Sequence, residues 1–396
     1  MTRFLHTSDW QLGQVRHYLS PRNDGDDPQA RFTQARIDAI RTIGGLARQR
    51  ECEFVVVAGD VFETQNVSTT IVARSLKAIE SIELPVYLLP GNHDSLEPGN
   101  IWERIKLPSN ATLLDGTDPI RVADGVEIVG VPLLARHQST DPLEPVVKNL
   151  ASDATTRIVV GHGQLEGLSG NTSEALLARE PLLAAIERSA VGYVALGDRH
   201  IAWPPDDPHG PIRYSGTQET TSFNEPGRGT AVVVDLDEHG ATAETVEVGT
   251  WLHTRISMDL STDEDLETLR EKLAAFTEPD RTIVRYDLHG SVSLQQKIRL
   301  SEILDDAETQ FASLEPSDNR NDLTVVPDDV DFTDLDLPAW GERGVEELTA
   351  MSTDPALPQE ERDCAADALS LLYRLPPRSD TQVERTSAHP PRRSPD

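Results

Sequence analysis

The chain has 396 residues, a formal net charge of −31 and a pI near 4.6. So acidic a balance works against broad, unassisted binding to nucleic acid, where phosphate neutralisation dominates affinity. Its two cysteines, Cys52 and Cys364, lie far apart and support neither a disulfide framework nor a cysteine-built zinc site. Without an apolar N-terminal run or 18 consecutive apolar residues, the sequence reads as cytoplasmic, with no membrane span.

Short apolar runs ending in Gly, Asp, Asn or His recur. They are "RFLHTSD" (3–9), "FVVVAGD" (54–60), "VYLLPGNHD" (86–94), "VEIVGVP" (126–132), "RIVVGHG" (157–163) and "YVALGDRH" (193–200). Continuous apolar runs of this length predict strands buried on both faces. Between them, residues 29–50 place Phe32, Ala35, Ile37, Ile40 and Ile43 on one helical stripe. A second helix is expected over 68–82, with Ser68 as its N-cap. Strand–helix alternation implies a layered α/β domain. After residue 210 the segments 211–216, 229–237 and 241–248 lack helices between them and read as antiparallel strands.

This places a first domain at 1–248. A smaller α+β domain is expected at 249–316, with strands at 251–260 and 281–290 and helices at 263–276 and 300–314. Residues 317–396 form an acidic, Pro-punctuated region with two expected helices, 340–352 and 359–374. The second carries Ala365, Ala368, Leu369, Leu371 and Leu372, a face that either docks a partner or packs on its own domain. The last 20 residues have a disordered composition.

The chemistry lies at the strand ends. Asp9, Asp60, Asn92, His162, Asp198 and His200 all fall at the C-terminal ends of predicted strands, where open α/β sheets bind ligands. Mixed carboxylate, amide and imidazole donors suit Mn2+, Fe2+ or Zn2+. Six donors exceed the needs of one ion. Two ions sharing a carboxylate are an arrangement for hydrolysing phosphate esters. Singly, an Asp at a strand end is commonly a turn former or cap. Lone histidines such as His17, His137, His209 and His239 read as surface or packing residues. "GNHD" (91–94) is denser: Gly91 allows close approach, Asn92 offers a neutral ligand and His93 can act on substrate.

In order, "HTSDWQLG", "GDVFE", "GNHD", "GHG" and "GDRH" resemble the five motifs of the calcineurin-like metallophosphoesterases. The opening "FLHTSDW", "FVVVAGDVFE", "YVALG" and the stretch 212–229 around Tyr214 are similar to the SbcD branch of DNA-repair exonucleases. The likeness covers residues 1–248 well and 250–315 more loosely.

It implies a four-layer αββα sandwich, a smaller α+β capping domain and an acidic, partly disordered C-terminal region. It implies two divalent ions, Mn2+ foremost, with Fe2+, Mg2+ or Zn2+ as alternatives. Asp9 and His200 would hold one ion, Asp60 both, and Asn92 and His162 the other. His93 would be the general acid, oriented by Asp94. DNA, an SbcC-like SMC-type ATPase docked on residues 340–375, and a second copy of the chain (through helix 29–50 or 68–82) are the implied partners.

Three positions depart from the pattern. Gln11 stands where the first motif has a histidine, Asp198 where the last motif has its first histidine, and Glu63 where Asp or His is usual. Gln11 and Asp198 keep a side-chain oxygen, which favours harder ions such as Mn2+ over Zn2+. Gln11 is then either a weak amide ligand or a group that positions water. Three functions compete: a DNA exonuclease or endonuclease, a phosphodiesterase or phosphatase on small nucleotides, and a non-enzymatic scaffold with a degenerate site.

Overall fold

The computed structural model describes residues 1–22, 25–168, 176–317, 320–326 and 339–373. It divides into two compact units. One is Met1–Ile256 with Phe276–Arg285 and Glu308–Glu315; the other is Ser257–Ala275 with Tyr286–Ala307 and Pro316–Asp396.

In the first unit, β1 (Thr2–Thr7), α1 (Pro28–Gln49), β2 (Phe54–Val57), α2 (Thr69–Glu80) and β3 (Val86–Leu88) alternate. Then come β4 (Ala111–Leu113), β5 (Ile120–Ala123), β6 (Val126–Gly130), α3 (Leu143–Asn149), β7 (Thr156–His162), α4 (Arg179–Glu187), β8 (Tyr193–Gly197) and β9 (Ile212–Tyr214). The hairpin β10 (Thr230–Asp237) and β11 (Gly240–Glu247) precedes β12 (Leu252–Leu260). One sheet has the order β11-β10-β1-β2-β3-β4 and the other β5-β6-β7-β8-β9. Strands β1 to β4 pair in parallel, as do β6 to β9. The hairpin closes the first sheet, with β10 antiparallel to β1.

Side chains alternate across each strand, and this sorts the core into layers. Phe4, Phe54 and Val56 point into the gap between sheets, where they meet Ile158, Val160 and Tyr193. The Phe4 ring stacks on Phe54 at 5.1 Å and meets the edge of Tyr193 at 5.4 Å. Leu5, Val55 and Val57 point the other way, onto Ile37, Ile40 and Ile43 of α1. Val159, Val194 and Leu196 face Leu143 of α3 and Leu182 of α4. The layers are therefore helix, sheet, sheet, helix. Both principal helices start at caps: Asp27 accepts from the Ala30 amide ahead of Pro28, and Ser68 from Ile71.

The remaining elements are α5 (Asp263–Ala274), β13 (Thr282–Ser293), α6 (Leu294–Glu308), β14 (Ser313–Pro316), β15 (Asp322–Val326), α7 (Ala339–Thr353) and α8 (Gln359–Tyr373). Strand β15 pairs in parallel with β13, His289 opposite Asp322. The helix expected over 300–314 runs instead from Leu294 to Glu308, and Ser313–Pro316 is a strand. Its start is set by a reciprocal cap: the Gln296 amide donates to Ser293 Oγ (3.2 Å) and the Ser293 amide to Gln296 Oε1 (2.9 Å). In α8, Ala365 and Leu369 are buried, Leu369 against Leu294 and Val345, so this part of the apolar face packs on its own unit. The Leu371 and Leu372 side chains and the last 20 residues lie outside what is described. Among the described residues, no helix is long and apolar enough to cross a membrane.

Candidate metal centre

Asp9 follows β1, Asp60 follows β2, Asn92 follows β3, His162 ends β7, and Asp198 and His200 follow β8. Parallel strands deliver all six to one edge of the sandwich. Asp9, Asp60 and His162 are buried, and each offers a ligand atom within 4.8 Å of the others.

The chain bends sharply to bring them there. Asp9, Gln11, Asp60 and Asp198 all have left-handed backbone, with φ of 53°, 41°, 53° and 91°. Non-glycine residues held there cost on the order of 1–3 kcal/mol each and cluster at functional sites. Two glycines make room. A Cβ at Gly91 would lie 2.1 Å from Asp60 Oδ1, and one at Gly197 would lie 1.8 Å from the Ala58 carbonyl oxygen.

Main-chain amides and a hydroxyl fix the carboxylates. The Asp198 amide lies 3.1 and 3.2 Å from the two oxygens of Asp9, and Ser8 Oγ donates to Asp9 Oδ2 at 2.5 Å. The His93 amide donates to Asp60 Oδ1 at 2.9 Å.

The two imidazoles are held alike. His162 Nδ1 donates to the Ala58 carbonyl at 2.9 Å, leaving Nε2 3.4 Å from Asp60 Oδ2 and 3.8 Å from Asp198 Oδ1. His200 Nδ1 meets Glu225 Oε1 at 2.9 Å and Thr221 Oγ1 at 2.8 Å, leaving Nε2 3.9 Å from Asp9 Oδ1. Engaging Nδ1 on the protein frees Nε2 for an ion, as is usual behind metal-binding histidines.

This donor set fits a cation. The Asn92 amide atom facing the centre lies 2.9 Å from His162 Nε2 and 3.2 and 3.1 Å from the Asp60 oxygens. The two Asp60 oxygens only accept, so without an ion the NH2 end would face them; a cation lets the amide oxygen do so. Among the described residues, no Lys or Arg pairs with Asp9, Asp60 or Asp198. Asp198 Oδ2 is buried with no hydrogen-bond partner. Burial pushes the Asp9 and Asp198 carboxyls above the usual range. Burial also acts against charge on His162, yet Asp60 beside it outweighs this and raises it well above an ordinary histidine. Buried acceptors crowded without a counter-charge are what a divalent ion satisfies.

The remaining expected residues divide. Gln11 turns its NH2 end to His200 Nε2 at 3.3 Å, while its Oε1 accepts from Gln14 Nε2 at 2.7 Å. The His93 ring is held by the Glu63 main-chain carbonyl, 2.7 Å from Nδ1, rather than by Asp94. Asp94 instead accepts from the amides of Gly91 (2.7 Å) and Phe62 (3.0 Å), bracing the loops that carry Asn92 and Asp60. Burial, then Asp60, pushes its carboxyl up to about 7. The Glu63 carboxylate lies 3.4 Å from Gln14 Nε2. Tyr214 donates to the Gly163 carbonyl at 2.7 Å and accepts from the Leu165 amide at 2.7 Å. It also walls a cavity of about 410 Å3 that Asp198 and His200 share.

Sequence reasoning missed Glu225, Gln14 and Arg36. Arg36 is buried in α1, and its guanidinium donates to the carbonyls of Trp10 (2.8 Å), Asp9 (3.3 Å) and Glu219 (2.9 Å). It therefore pins the bend that presents Asp9. The arginine on a helical face was a visible signal; Glu225 had none, because its partner is 25 residues away along an irregular loop.

Comparison with known proteins agrees with this architecture. The family profile of the calcineurin-like phosphoesterases matches residues 2–202. The chain is 26% identical over 295 residues to the DNA double-strand break repair protein Mre11 of Haloferax volcanii, covering 72% of this chain and 60% of that protein. It is 23% identical over 233 residues to the uncharacterized metallophosphoesterase YhaO of Bacillus subtilis, covering 57% of this chain and 55% of that one. It thus spans little more than half the length of these curated relatives. Among solved structures, a dimetal phosphatase from Danio rerio is 12% identical with a TM-score of 0.41, over 63% of this chain and 99% of that one. With its profile match over half its length and its motifs gathered at one sheet edge, the chain belongs to the calcineurin-like phosphoesterase family.

Proposed function

We propose that this chain is a metal-dependent phosphodiester hydrolase acting on DNA through two divalent ions. Asp9 and His200 would hold one ion, Asn92, His162 and Asp198 the other, and Asp60 would serve both. The carrying observation is the matched pair of imidazoles, each with Nδ1 bonded to the protein and Nε2 turned toward Asp9 or Asp60. When bound, such ions neutralise the phosphate and activate water for attack on phosphorus. The chain's own residues hold and orient. His93 keeps Nε2 on the Asp60 side, 4.0 Å from Oδ2, where a proton at that atom passes to the leaving oxygen. Asp94 keeps the Gly91 and Phe62 loops in register beneath it. Gln11 supports His200 and is itself held by Gln14. The oxygen of Asp198 favours Mn2+ over Zn2+.

DNA as substrate is supported by the match to the repair protein, whose 295 residues exceed the 2–202 phosphoesterase segment. A second support is local. In a chain of charge −31, Arg285 lies 4.6 Å over the Phe223 ring and 5.8 Å over Tyr18, and Arg255 lies 5.2 Å over Phe223. Arginine–aromatic groups of this kind suit stacked bases and phosphates. The partners proposed are an SbcC-like SMC-type ATPase, docked through 340–375, and a second copy of the chain. Trp340 of α7, 78% exposed, is the aromatic anchor available to the first.

The test pairs substrates. Wild type and His93→Ala are incubated with Mn2+ and linear double- or single-stranded DNA, or with bis-p-nitrophenyl phosphate. Cleavage of DNA that falls at least a hundredfold in His93→Ala is expected. Cleavage of the small ester but not of DNA favours a phosphodiesterase on small nucleotides, for which the 410 Å3 cavity has suitable size.

A further inference from the structure

Arg199 sits in "GDRH" between Asp198 and His200, whose side chains turn to the metal centre. Its own side chain lines the adjoining cavity of about 410 Å3. Among the described residues it has no carboxylate partner and no hydrogen bond, and its Nε is buried and unpartnered. In so acidic a chain that is an unusual expense, since a buried guanidinium N–H without an acceptor loses its hydration for nothing. The other walls are of three kinds: Gln164, Ser222 and Asn224 are polar, Leu165, Ile201 and Tyr214 are apolar or aromatic, and Asp198 and Glu225 are acidic, Glu225 being bonded to His200. A volume of this size takes one nucleoside. A planar fork of donors with no protein acceptor is suited to two oxygens of a phosphate.

We propose that this cavity holds the nucleoside next to the scissile phosphate and that Arg199 clamps the neighbouring, non-scissile phosphate. Arg199 is thereby the residue that makes the enzyme prefer polynucleotides to simple phosphate esters. This rests on the phosphodiesterase function proposed above. The apolar wall packs the sugar and base without reading the sequence, and the guanidinium counts phosphates.

The probe is thymidine 3′,5′-bisphosphate, which carries one phosphate for each position. It competes against bis-p-nitrophenyl phosphate with Mn2+ present, beside thymidine 3′- and 5′-monophosphates. Wild type should bind the bisphosphate about tenfold or more tightly than either monophosphate, as one charge-assisted phosphate contact provides. Arg199→Ala should erase that advantage, and Arg199→Lys should keep part of it, because charge survives but the fork does not. The same comparison by titration calorimetry on the Mn2+-loaded full chain reads binding without turnover. An advantage that survives in Arg199→Ala, or is absent from wild type, overturns the proposal. If wild type turns over no ester, the phosphodiesterase function falls, while the calorimetric comparison still decides the role of Arg199.

Discussion

Glu225 Oε1 lies 2.9 Å from His200 Nδ1, and Thr221 donates to the same carboxylate from both its amide and its hydroxyl. Burial works against charge on Glu225, but His200 and Thr221 outweigh it and hold the carboxyl at about 2. A charged carboxylate behind an imidazole fixes its tautomer and raises its basicity. Glu225→Gln should therefore weaken Mn2+ binding by roughly 10- to 100-fold while the circular dichroism spectrum is retained. Unchanged affinity in a titration of metal-free protein would show that Glu225 only ties the loop.

On the assignment proposed above, Asp198 is the position at which ion preference would be set. Its Oδ1 lies 3.8 Å from His162 Nε2, where an imidazole is the commoner choice, and its Oδ2 is buried without a hydrogen-bond partner. Replacing it by histidine exchanges a hard donor for a borderline one and removes a negative charge. In competition titrations, Asp198→His should move the Zn2+ to Mn2+ affinity ratio upward by about tenfold or more. A ratio that stays put means that Asp198 makes no direct contact with the ion.

Much of this centre was legible because its residues sit at strand ends, and the strands are continuous apolar runs. The runs at 54–60 and 157–163 became β2 and β7 with Asp60 and His162 in place. The helices read at 29–50 and 68–82 became Pro28–Gln49 and Thr69–Glu80, because a stripe of isoleucines and a serine cap are local signals. What was not legible depends on side-chain contacts made in turns and loops, which carry no periodicity. Gln14 reaches Gln11 across a turn, and Glu225 reaches His200 from a loop that carries no periodicity. The short strands β4 and β5, of three and four residues, hold no pattern long enough to read. The misplaced start of α6 had a readable cause, the Ser293–Gln296 pair, which a search for apolar periodicity overlooks.

Acid stability gives a prediction away from the metal. His253 is 3% exposed, bonded to Thr220 Oγ1 at 2.9 Å and packed on Phe223, and burial pushes its imidazole down to about 3. The folded state thus keeps His253 neutral, while the unfolded chain takes up a proton near the usual 6.5. The stabilisation is full above that value and is lost as pH falls from there toward 3. Between pH 7 and pH 5 this one group should cost about 2 kcal/mol of stability. Urea unfolding with chelator should show that much less acid sensitivity in His253→Gln than in wild type. Parallel curves for the two proteins would mean that His253 titrates normally.

Arg36 couples the core to the centre. Its guanidinium is 1% exposed, and burial pulls it down to about 10, so it stays charged at neutral pH. It binds the carbonyls of Asp9 and Trp10, the two residues that open the left-handed bend, and that of Glu219 on the loop leading to Glu225. Arg36→Met removes the charged donors from those carbonyls, leaving Gln218 Nε2 on Trp10 and the Thr217 hydroxyl between Asp9 and Glu219, and should cost about 2–4 kcal/mol, as the loss of hydrogen bonds from a charged group does. Arg36→Lys keeps the charge but presents a point donor where a fork spans three acceptors, so it should recover only part of the loss. The two costs differ in kind: relaxation of the Asp9 bend should also weaken Mn2+ binding in Arg36→Lys, even at temperatures where the variant is fully folded. A lysine variant with wild-type unfolding midpoint and wild-type metal affinity would reduce Arg36 to a packing residue and remove the link between α1 and the presentation of Asp9.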